Sequence, residues 1–281
     1  MVAEFDRVAR RPGRARAKIN LTLHVRGRRS DGYHELESLV AFAGIGDALS
    51  FAPRQTGGYT LRIDGNDNLS ADEDNLVLRA ARWIAPEGGG DFRLIKNLPV
   101  ASGIGGGSAD AAAAMRLVAG EGSLQCDAKA IGADVPVCVA SQARMMRGIG
   151  AELGPALALP PFFAVLVNPR LAVATADVFR ALGLALGETH KAAPHPHLGT
   201  DVDAALAQAR NDLEKPAIAV QPVIADVLAA LRGQQGLKLA RMSGSGATCF
   251  GLFEDRHSAV KASRALRAAH PVWWVRATIL R

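Results

Sequence analysis

The 281-residue length exceeds the usual single core of about 100 to 200 residues, which predicts two packed domains. Hydrophobic residues make up 49% and charged residues 21%, and these values exclude an intrinsically disordered or highly charged chain. The formal net charge is +6, and no stretch approaches the roughly 18 apolar residues of a membrane span.

The N-terminal arginines, at positions 7, 10, 11, 14 and 16, carry much of the positive charge. Such a segment contacts nucleic acid, attracts polyphosphate substrates, or is a solvated tail. Because no aromatic-studded basic groove or nucleic-acid module accompanies it, we expect no nucleic-acid partner and no membrane partner. The N-terminus also lacks the apolar core of a signal peptide, so we expect an unprocessed protein.

The three cysteines, Cys126, Cys138 and Cys249, are far apart in the chain and form no C-x-x-C pair. This spacing indicates neither a zinc site nor a disulfide framework. A reduced, cytoplasmic location is therefore expected.

The first third of the chain is rich in predicted strands. Residues 16–25 alternate polar and apolar side chains, which is the period of a half-buried strand. Further strands are predicted at 36–42, 48–52, 59–63 and 92–95, separated by Gly, Asp and Asn turn signals. A helix is predicted at 75–85, ending before Pro86, and another begins near Ser108.

A Pro- and Ala-rich stretch near Leu157 predicts a domain boundary, giving domains 1–156 and 157–281. After it the patterns predict a buried strand at 162–169, helices at 175–184, 202–209 and 220–231, strands at 237–242, 247–253 and 272–280, and a helix at 257–269. The predicted fold class is α+β with two domains. Residues 187–200 contain three histidines but lack metal-ligand spacing, so we interpret them as an exposed linker.

The most informative stretch is LPVASGIGGGSADAAAA at 98–114, where four glycines lead directly into a predicted helix. Glycine lets backbone N–H groups approach an anion, and a helix N-terminus adds unpaired donors and a favourable dipole. The stretch matches neither a Walker A loop, because no Lys follows the glycines, nor G-x-G-x-x-G. It predicts a phosphate site on a different nucleotide-binding fold.

This loop resembles the second signature of the GHMP kinases, P-x-x-x-G-x-G-G-G-S-A/S. The resemblance implies a two-domain GHMP kinase fold, with an N-terminal domain like domain 2 of ribosomal protein S5 and a ferredoxin-like C-terminal domain. It also implies ATP as co-substrate, accompanied by Mg²⁺ whose ligands stay unassigned. The residues implied to bind ATP are Pro99, Val100, Ala101, Ser102, Gly103, Ile104, Gly105, Gly106, Gly107, Ser108 and Ala109.

Four further segments resemble one branch of this family, the kinases that phosphorylate 4-diphosphocytidyl-2-C-methylerythritol in the non-mevalonate isoprenoid pathway. They are ARAKINLTLHVRGRRSDGYHELESLVAF near the start, IGADVPVCV, NDLEKPA, and MSGSGATCFGLF, which resembles the third GHMP signature. The resemblance implies transfer of phosphate from ATP to the 2-hydroxyl of that substrate, by a monomer or weak homodimer.

Residue by residue, the resemblance assigns Lys18 and Asp134 to catalysis. A carboxylate can accept the alcohol proton, and a nearby ammonium keeps that carboxylate ionised. The implied substrate-binding residues are Asn20, Tyr33, His34, Phe179, Ser243, Gly244, Ser245 and Gly246. Among them, an aromatic ring at Phe179 would stack on the cytosine face, and plain helix core is the alternative interpretation.

The sequence also departs from the family pattern. Ala101 and Ser102 stand where many relatives have glycines, and the stretch between Ser108 and Asp134 is shorter than is usual. Two alternatives stay open at this point. One is another GHMP kinase, acting on homoserine, mevalonate or a sugar, and the other is a non-catalytic RNA- or ligand-binding protein on the same fold.

Overall fold

The computed structural model describes residues 10–65, 69–120, 128–191, 195, 199 and 201–281. The chain divides into two units. The first contains the described residues up to Ala17 together with those of Gly46–Leu98 and Gly106–Ala140, and the second contains those of Lys18–Ile45, Pro99–Gly105 and Ser141–Arg281. The chain therefore changes unit inside the glycine loop. The boundary near Leu157 does not coincide with this division and stays a prediction.

The described chain opens with four consecutive strands, and four consecutive helices follow the eighth strand. The strands are β1 Arg11–Asn20, β2 His24–Arg28, β3 His34–Arg54, β4 Gly58–Asp64, β5 Gly89–Ile95, β6 Arg144–Gly148, β7 Glu152–Ala156, β8 Phe162–Asn168, β9 Leu237–Met242, β10 Cys249–Phe253 and β11 Trp274–Leu280. The helices are α1 Leu76–Ile84, α2 Gly106–Ala119, α3 Val135–Ala140, α4 Thr175–Leu182, α5 Val202–Gln208, α6 Glu214–Val220, α7 Val223–Arg232 and α8 Arg256–Ala269, with a 3₁₀ turn at Ala128–Ala130. No helix among these is long and apolar enough to cross a bilayer.

The first unit packs helices on a small sheet. The C-terminal half of β3 is antiparallel to β5, and β4 pairs with β5 in parallel. Helix α1 packs against α2, and α3 against α2. Phe51 and Phe92 stack in the core with ring centroids 4.5 Å apart. The helix α2 buries a run of alanines, which lets its backbone approach its neighbours closely.

The second unit is built on an antiparallel sheet in the order β3–β11–β8–β10–β9. The N-terminal half of β3 also pairs with β2 and β6, and β6 pairs with β7. The central strand β8 is fully apolar from Phe162 to Val167, and helix α8 packs against it. The core of the unit joins the sheet to α4, α6, α7 and α8.

The α+β fold class is confirmed, and several predicted elements are corrected. The predicted strand 16–25 is two strands, because the N–H groups of Leu21 and Thr22 both point to Leu39 O and the ladder breaks there. The predicted strands 36–42 and 48–52 are one strand, β3. Its Gly46 is not a turn residue, since a Cβ there would lie 2.1 Å from Ala15 O.

Helix α1 matches its prediction, with Asn75 Oδ1 accepting the Val77 N–H as an N-cap. The predicted helix 220–231 is wrong at its start. Helix α6 ends at Val220 and α7 begins at Val223, because Pro222 supplies no N–H to continue a helix. Strands β6 and β7 and helix α3 had no counterpart among the sequence predictions.

Candidate active site

The first part of the glycine loop, Pro99–Gly105, belongs to the second unit and is fastened there by hydrogen bonds. Ser102 Oγ donates to Pro99 O at 2.6 Å, and the Thr248 N–H donates to Ser102 O at 3.1 Å. Gly103 has φ +73°, and a Cβ on it would lie 2.5 Å from Ser243 O. Glycine is therefore required at 103 for both its conformation and its close approach to the late turn at 243–246.

Lys18 lies directly beside this loop. It is buried, with 4% of its surface exposed, and its N–H donates to Ile104 O at 3.0 Å. A Cβ on Gly105, which has φ +63°, would lie 3.3 Å from Lys18 Cβ and 3.4 Å from its Cε. The side chain of Lys18 thus runs along Gly105, so the structure brings together these two predicted site residues.

Asn20 joins the loop to the late turn. Its N–H donates to Ser243 Oγ at 3.0 Å, and that hydroxyl donates to Gly103 O at 3.0 Å. A Cβ on Gly244, at φ +57°, would lie 2.7 Å from Gly103 O and 3.4 Å from Asn20 Oδ1. The predicted residues from the start, the middle and the end of this chain therefore meet at one place in the second unit.

The side chain of Asn20 is anchored on one side only. Its Nδ2 donates to Ser38 Oγ at 2.7 Å, and Ser38 Oγ donates to Thr22 O at 2.5 Å. Asn20 Oδ1 is buried and has no hydrogen-bond partner within the part of the chain that the structure describes. A buried, unpaired amide oxygen is unfavourable on its own, so it marks a place where a ligand donor fits.

The other two residues of the turn have different surroundings. Ser245 Oγ shares a hydrogen bond of 2.8 Å with Thr175 Oγ1 at the start of α4. A Cβ on Gly246 would lie 2.7 Å from Met242 Sδ and 3.3 Å from Ile224 Cδ1. Gly246 therefore faces the apolar core of the unit, and its assignment to substrate binding stays a prediction.

Tyr33, His34 and Phe179 line one pocket of about 780 Å³ in the second unit, together with Arg28 and Arg180. The rings of His34 and Phe179 stack with centroids 4.4 Å apart and planes 25° apart. Burial, reinforced by the Arg28 charge, lowers the pKa of His34 below its usual range. Its imidazole is therefore neutral at neutral pH, and its Nε2 is a buried atom with no partner among the described residues.

The second part of the glycine loop begins helix α2 in the first unit. The helix begins at Gly106, two residues before the predicted start. Ser108 therefore lies inside the first turn of α2 and not before it. A Cβ on Gly106 would lie 3.6 Å from Lys96 Nζ, which places an ammonium group beside the start of this helix.

Lys96 lies between two buried carboxylates in the first unit. Its Nζ contacts Asp47 Oδ2, and it donates to Asp110 Oδ2 at 2.7 Å. Asp47 Oδ1 accepts the N–H groups of Asn97 and Leu98 at 2.6 and 2.9 Å. Asp110 Oδ1 is buried and has no partner among the described residues. We call Lys96, Asp47 and Asp110 the ionic cluster.

The ionic cluster holds two carboxylates and one ammonium, and burial together with these charges shifts the pKa values of Asp110 and Lys96. Burial raises the pKa of Asp110 to about 7, and the Asp47 charge adds to this while Lys96 opposes it. Burial lowers the pKa of Lys96, but the two carboxylates outweigh it and hold that pKa above its ordinary value. Asp110 therefore exchanges a proton near neutral pH.

Asp134 belongs to the first unit, whereas Lys18 belongs to the second. Asp134 immediately precedes α3, and its carbonyl accepts the Cys138 N–H at 3.3 Å. The shortened segment expected between Ser108 and Asp134 includes residues 121–127, which lie outside the described part of the chain, as does Cys126. Cys138 and Cys249 are buried.

Sequence reasoning missed the ionic cluster. Lys96 and Asp47 are single charges in unrelated segments, so nothing local marks them as a pair. The available signal was Asp110, a lone carboxylate in an alanine-rich helix whose face is otherwise apolar. Such a residue is rarely buried without a partner.

The interpretation of 187–200 as an exposed linker is wrong for two of its histidines. His195 Nε2 lies 2.7 Å from Thr22 Oγ1, and His190 Nδ1 lies 3.1 Å from Val25 O. Both histidines are partly buried. Within the described residues, which exclude His197, no group of three His, Cys, Asp or Glu is arranged to hold a metal.

Comparison with protein families matches the N-terminal domain of GHMP kinases at residues 75–142 and the C-terminal domain of GHMP kinases at 200–272. Among curated relatives, "4-diphosphocytidyl-2-C-methyl-D-erythritol kinase" of Methylobacterium radiotolerans is 57% identical, covering 95% of this chain and 98% of its own. The enzyme of the same name from Rhodopseudomonas palustris is 52% identical, covering 94% and 95%.

Solved structures give the same match. A crystal structure of 4-(cytidine 5'-diphospho)-2C-methyl-D-erythritol kinase superposes with a TM-score of 0.77 at 35% identity, covering 97% of this chain and 99% of that one. A homoserine kinase from Cytophaga hutchinsonii superposes with a TM-score of 0.69 at 18% identity, covering 96% and 94%, and this second likeness concerns the fold alone.

Proposed function

Because the chain belongs to the GHMP kinases, in the family of 4-diphosphocytidyl-2-C-methyl-D-erythritol kinases, we propose that it transfers the γ-phosphate of ATP to the 2-hydroxyl of that substrate. It is an ATP-dependent kinase of isoprenoid precursor biosynthesis. The relatives at 50% identity and above share this name over nearly the whole chain, and this favours the cytidyl substrate over homoserine, mevalonate or a sugar.

The single observation that carries the proposal is the packing of Lys18 and Asn20 on the glycine loop. The Lys18 side chain runs beside Gly105, and Asn20 offers a buried acceptor without a partner among the described residues, close to Gly244. We propose that Asn20 Oδ1 accepts the hydrogen of a substrate hydroxyl there. The loop amides and the start of α2 would stabilise the phosphates.

Phosphoryl transfer needs positioning and charge stabilisation more than covalent chemistry. We propose that Asp134 accepts the proton of the attacking 2-hydroxyl and that the Lys18 ammonium keeps the Asp134 carboxylate ionised. These two roles come from the motifs that carry the residues, ARAKIN and GADVP. Pro99 to Ala109 would hold the triphosphate, with Mg²⁺ shielding its charge.

The pocket of Tyr33, His34 and Phe179 supports recognition of the cytosine ring. Aromatic faces stack on a base, and a neutral imidazole whose buried Nε2 has no partner among the described residues can exchange a hydrogen bond with the base edge. We propose that this pocket selects the cytidyl substrate. We further propose a cytoplasmic monomer or weak homodimer that binds no nucleic acid.

The test is ADP formation with 4-diphosphocytidyl-2-C-methyl-D-erythritol, with ATP alone, and with homoserine, mevalonate and galactose in its place. We expect turnover with the cytidyl substrate only. Turnover with one of the other alcohols and none with the cytidyl compound would overturn the proposal. Asp134→Asn should lose about 10²- to 10⁴-fold in turnover while still binding ATP. An Asn variant with normal turnover would remove Asp134 from its role.

A further inference from the structure

Asn211 is the first residue of the NDLEKPA segment. This segment resembles the family, but the proposed function gives it no role. It lies between α5 and α6, and only 6% of its surface is exposed. Its Nδ2 donates two hydrogen bonds of 2.8 Å, to Met242 O and to Gly244 O. Its Oδ1 accepts the Leu213 N–H at 2.9 Å. Both ends of this amide are therefore engaged by backbone groups.

The segment around Asn211 is itself fixed to the strand that follows Asn20. The Leu23 N–H donates to Arg210 O at 2.9 Å, and the Asp212 N–H donates to Leu23 O at 2.8 Å. Asn211 thus reaches the late turn from a segment that is hydrogen-bonded on both sides of it to Leu23, the residue before β2. An amide that spans two carbonyls two residues apart fixes the path of the backbone between them.

The turn fixed in this way is the one that contacts the glycine loop. Gly244 lies so close to Gly103 O and Asn20 Oδ1 that a Cβ would reach both, at 2.7 and 3.4 Å. Ser243, between the two carbonyls that Asn211 binds, donates to Gly103 O and accepts the Asn20 N–H. A shift of the late turn would therefore move the glycine loop and Asn20 together.

We propose that Asn211 is a positioning residue for this kinase: through the carbonyls of Met242 and Gly244 it sets the place of Gly103 and of Asn20. It acts through the turn and touches neither nucleotide nor substrate. The effect on turnover rests on the proposed function, whereas the effect on nucleotide binding follows from the loop geometry alone.

Asn211→Asp tests this role, because it keeps the shape of the side chain and removes both donors. An ionised Asp would point carboxylate oxygens at two carbonyl oxygens, and burial would raise its pKa above the usual value of about 3.9. Once protonated, the carboxyl group can donate to one of the two carbonyls. The defect should therefore be largest at high pH and should shrink as the pH falls.

Asn168→Asp is the matched control. Asn168 is also buried in the same unit, and its Nδ2 donates to Thr248 Oγ1 at 2.9 Å while its Oδ1 accepts the Arg170 N–H. A hydroxyl can rotate to donate to a carboxylate, which two carbonyls cannot do. This control therefore carries the cost of a buried carboxyl group without losing a hydrogen bond.

The measurements are turnover and the Kd for ADP at pH 6 and pH 8, with melting temperatures to show that each variant is folded. At pH 8 we expect Asn211→Asp to lose roughly tenfold or more in turnover and in affinity for ADP. At pH 6 both quantities should recover several-fold relative to wild type. Asn168→Asp should show no such recovery. If Asn211→Asp does not fold, Asn211→Ser, which keeps one uncharged donor, replaces it and should show a smaller, pH-independent loss.

Wild-type turnover and wild-type binding separate the two hypotheses. Without wild-type turnover the proposed function fails, and the Kd for ADP still decides the role of Asn211. A folded Asn211→Asp or Asn211→Ser variant with wild-type ADP binding and turnover would overturn the positioning role. So would an Asn211→Asp defect that is the same at both pH values and matches that of Asn168→Asp.

Discussion

The two parts of the glycine loop are held by different chemistry. In the second unit, residues 99–105 are fixed by neutral groups: hydroxyls, amides and backbone carbonyls around Ser243 and Asn20. In the first unit, the start of α2 lies beside the charged groups of the ionic cluster. One loop therefore combines a support that is insensitive to pH with a support that titrates near neutrality.

The difference has an energetic basis. Neutral hydrogen bonds contribute about 0.5 to 1.5 kcal/mol each, and they hardly change with pH or salt. The attraction within a buried ion pair is stronger than a neutral hydrogen bond. Removing one partner lowers the free energy of unfolding by more, because the other charge is then left buried and unpaired. We therefore expect substitutions in the ionic cluster to have larger effects, and effects that depend on pH.

The largest effect is expected for Lys96→Met. Removing the ammonium leaves Asp47 and Asp110 buried beside each other, and breaking such a pair costs about 3 to 5 kcal/mol of unfolding free energy. Urea denaturation at pH 8 measures it. In the control Lys238→Met, whose ion pair with Asp203 is exposed, the change should stay within about 1 kcal/mol. Equal losses in the two variants would contradict a special role for the buried cluster.

Asp110 should give the next largest effect, seen as a pH dependence. Its folded-state pKa of about 7 exceeds its ordinary value of 3.8, so the folded protein keeps a proton that the unfolded chain has released. Stability from this group is present below about pH 4 and is lost as the pH rises to about 7. Relative to Asp110→Asn, wild type should lose roughly 2 to 4 kcal/mol between pH 4 and pH 8. Parallel stability curves for the two proteins would refute the shifted pKa.

Ser38→Ala tests the neutral support and should have a moderate effect. It removes the hydroxyl that binds Asn20 Nδ2 and Thr22 O, leaving both buried without that partner, at a cost of about 1 to 3 kcal/mol. The loss should be the same at pH 5 and pH 8. Ser263→Ala is the control, since Ser263 is buried and its Oγ has no partner among the described residues; we expect no loss there.

Ala101→Gly should produce the smallest change. Ala101 has φ +49°, a left-handed conformation that costs a non-glycine residue about 1 to 2 kcal/mol. Glycine removes that cost but gains freedom in the unfolded chain, so the net stabilisation should be below about 1 kcal/mol. At Ala174, with φ −73°, the same substitution should destabilise. A destabilised Ala101→Gly variant would show that the alanine side chain itself is needed.

The sequence predicted those parts of the molecule whose signal is local. Helices α1 and α4 follow from their spacing of apolar residues, and the glycine loop and Lys18 follow from motifs. Gly46 misled the prediction because glycine marks turns more often than close strand contacts. Its actual reason is the carbonyl oxygen of Ala15, which would lie 2.1 Å from a Cβ at position 46. That reason depends on a residue in another strand, which no local pattern reveals.

The residues that were missed depend on contacts between distant segments. Lys96 is 49 residues from Asp47, and Asn211 is 31 residues from Met242. No periodicity or composition joins such pairs, and a single Lys or Asp in a sequence is most often a surface residue. The family resemblance assigned residues to ligand binding, whereas the groups that pack around those residues became visible only in the structure.

The contact between Gly103 and Gly244 makes the two signatures interdependent. Each position excludes a side chain because of the backbone at the other signature: a methyl on Gly103 would collide with Ser243 O, and a methyl on Gly244 would collide with Gly103 O. A chimera that grafts the glycine loop of one relative onto another must therefore bring the matching late turn with it. For protein engineering, these two distant stretches of sequence form one interchangeable part.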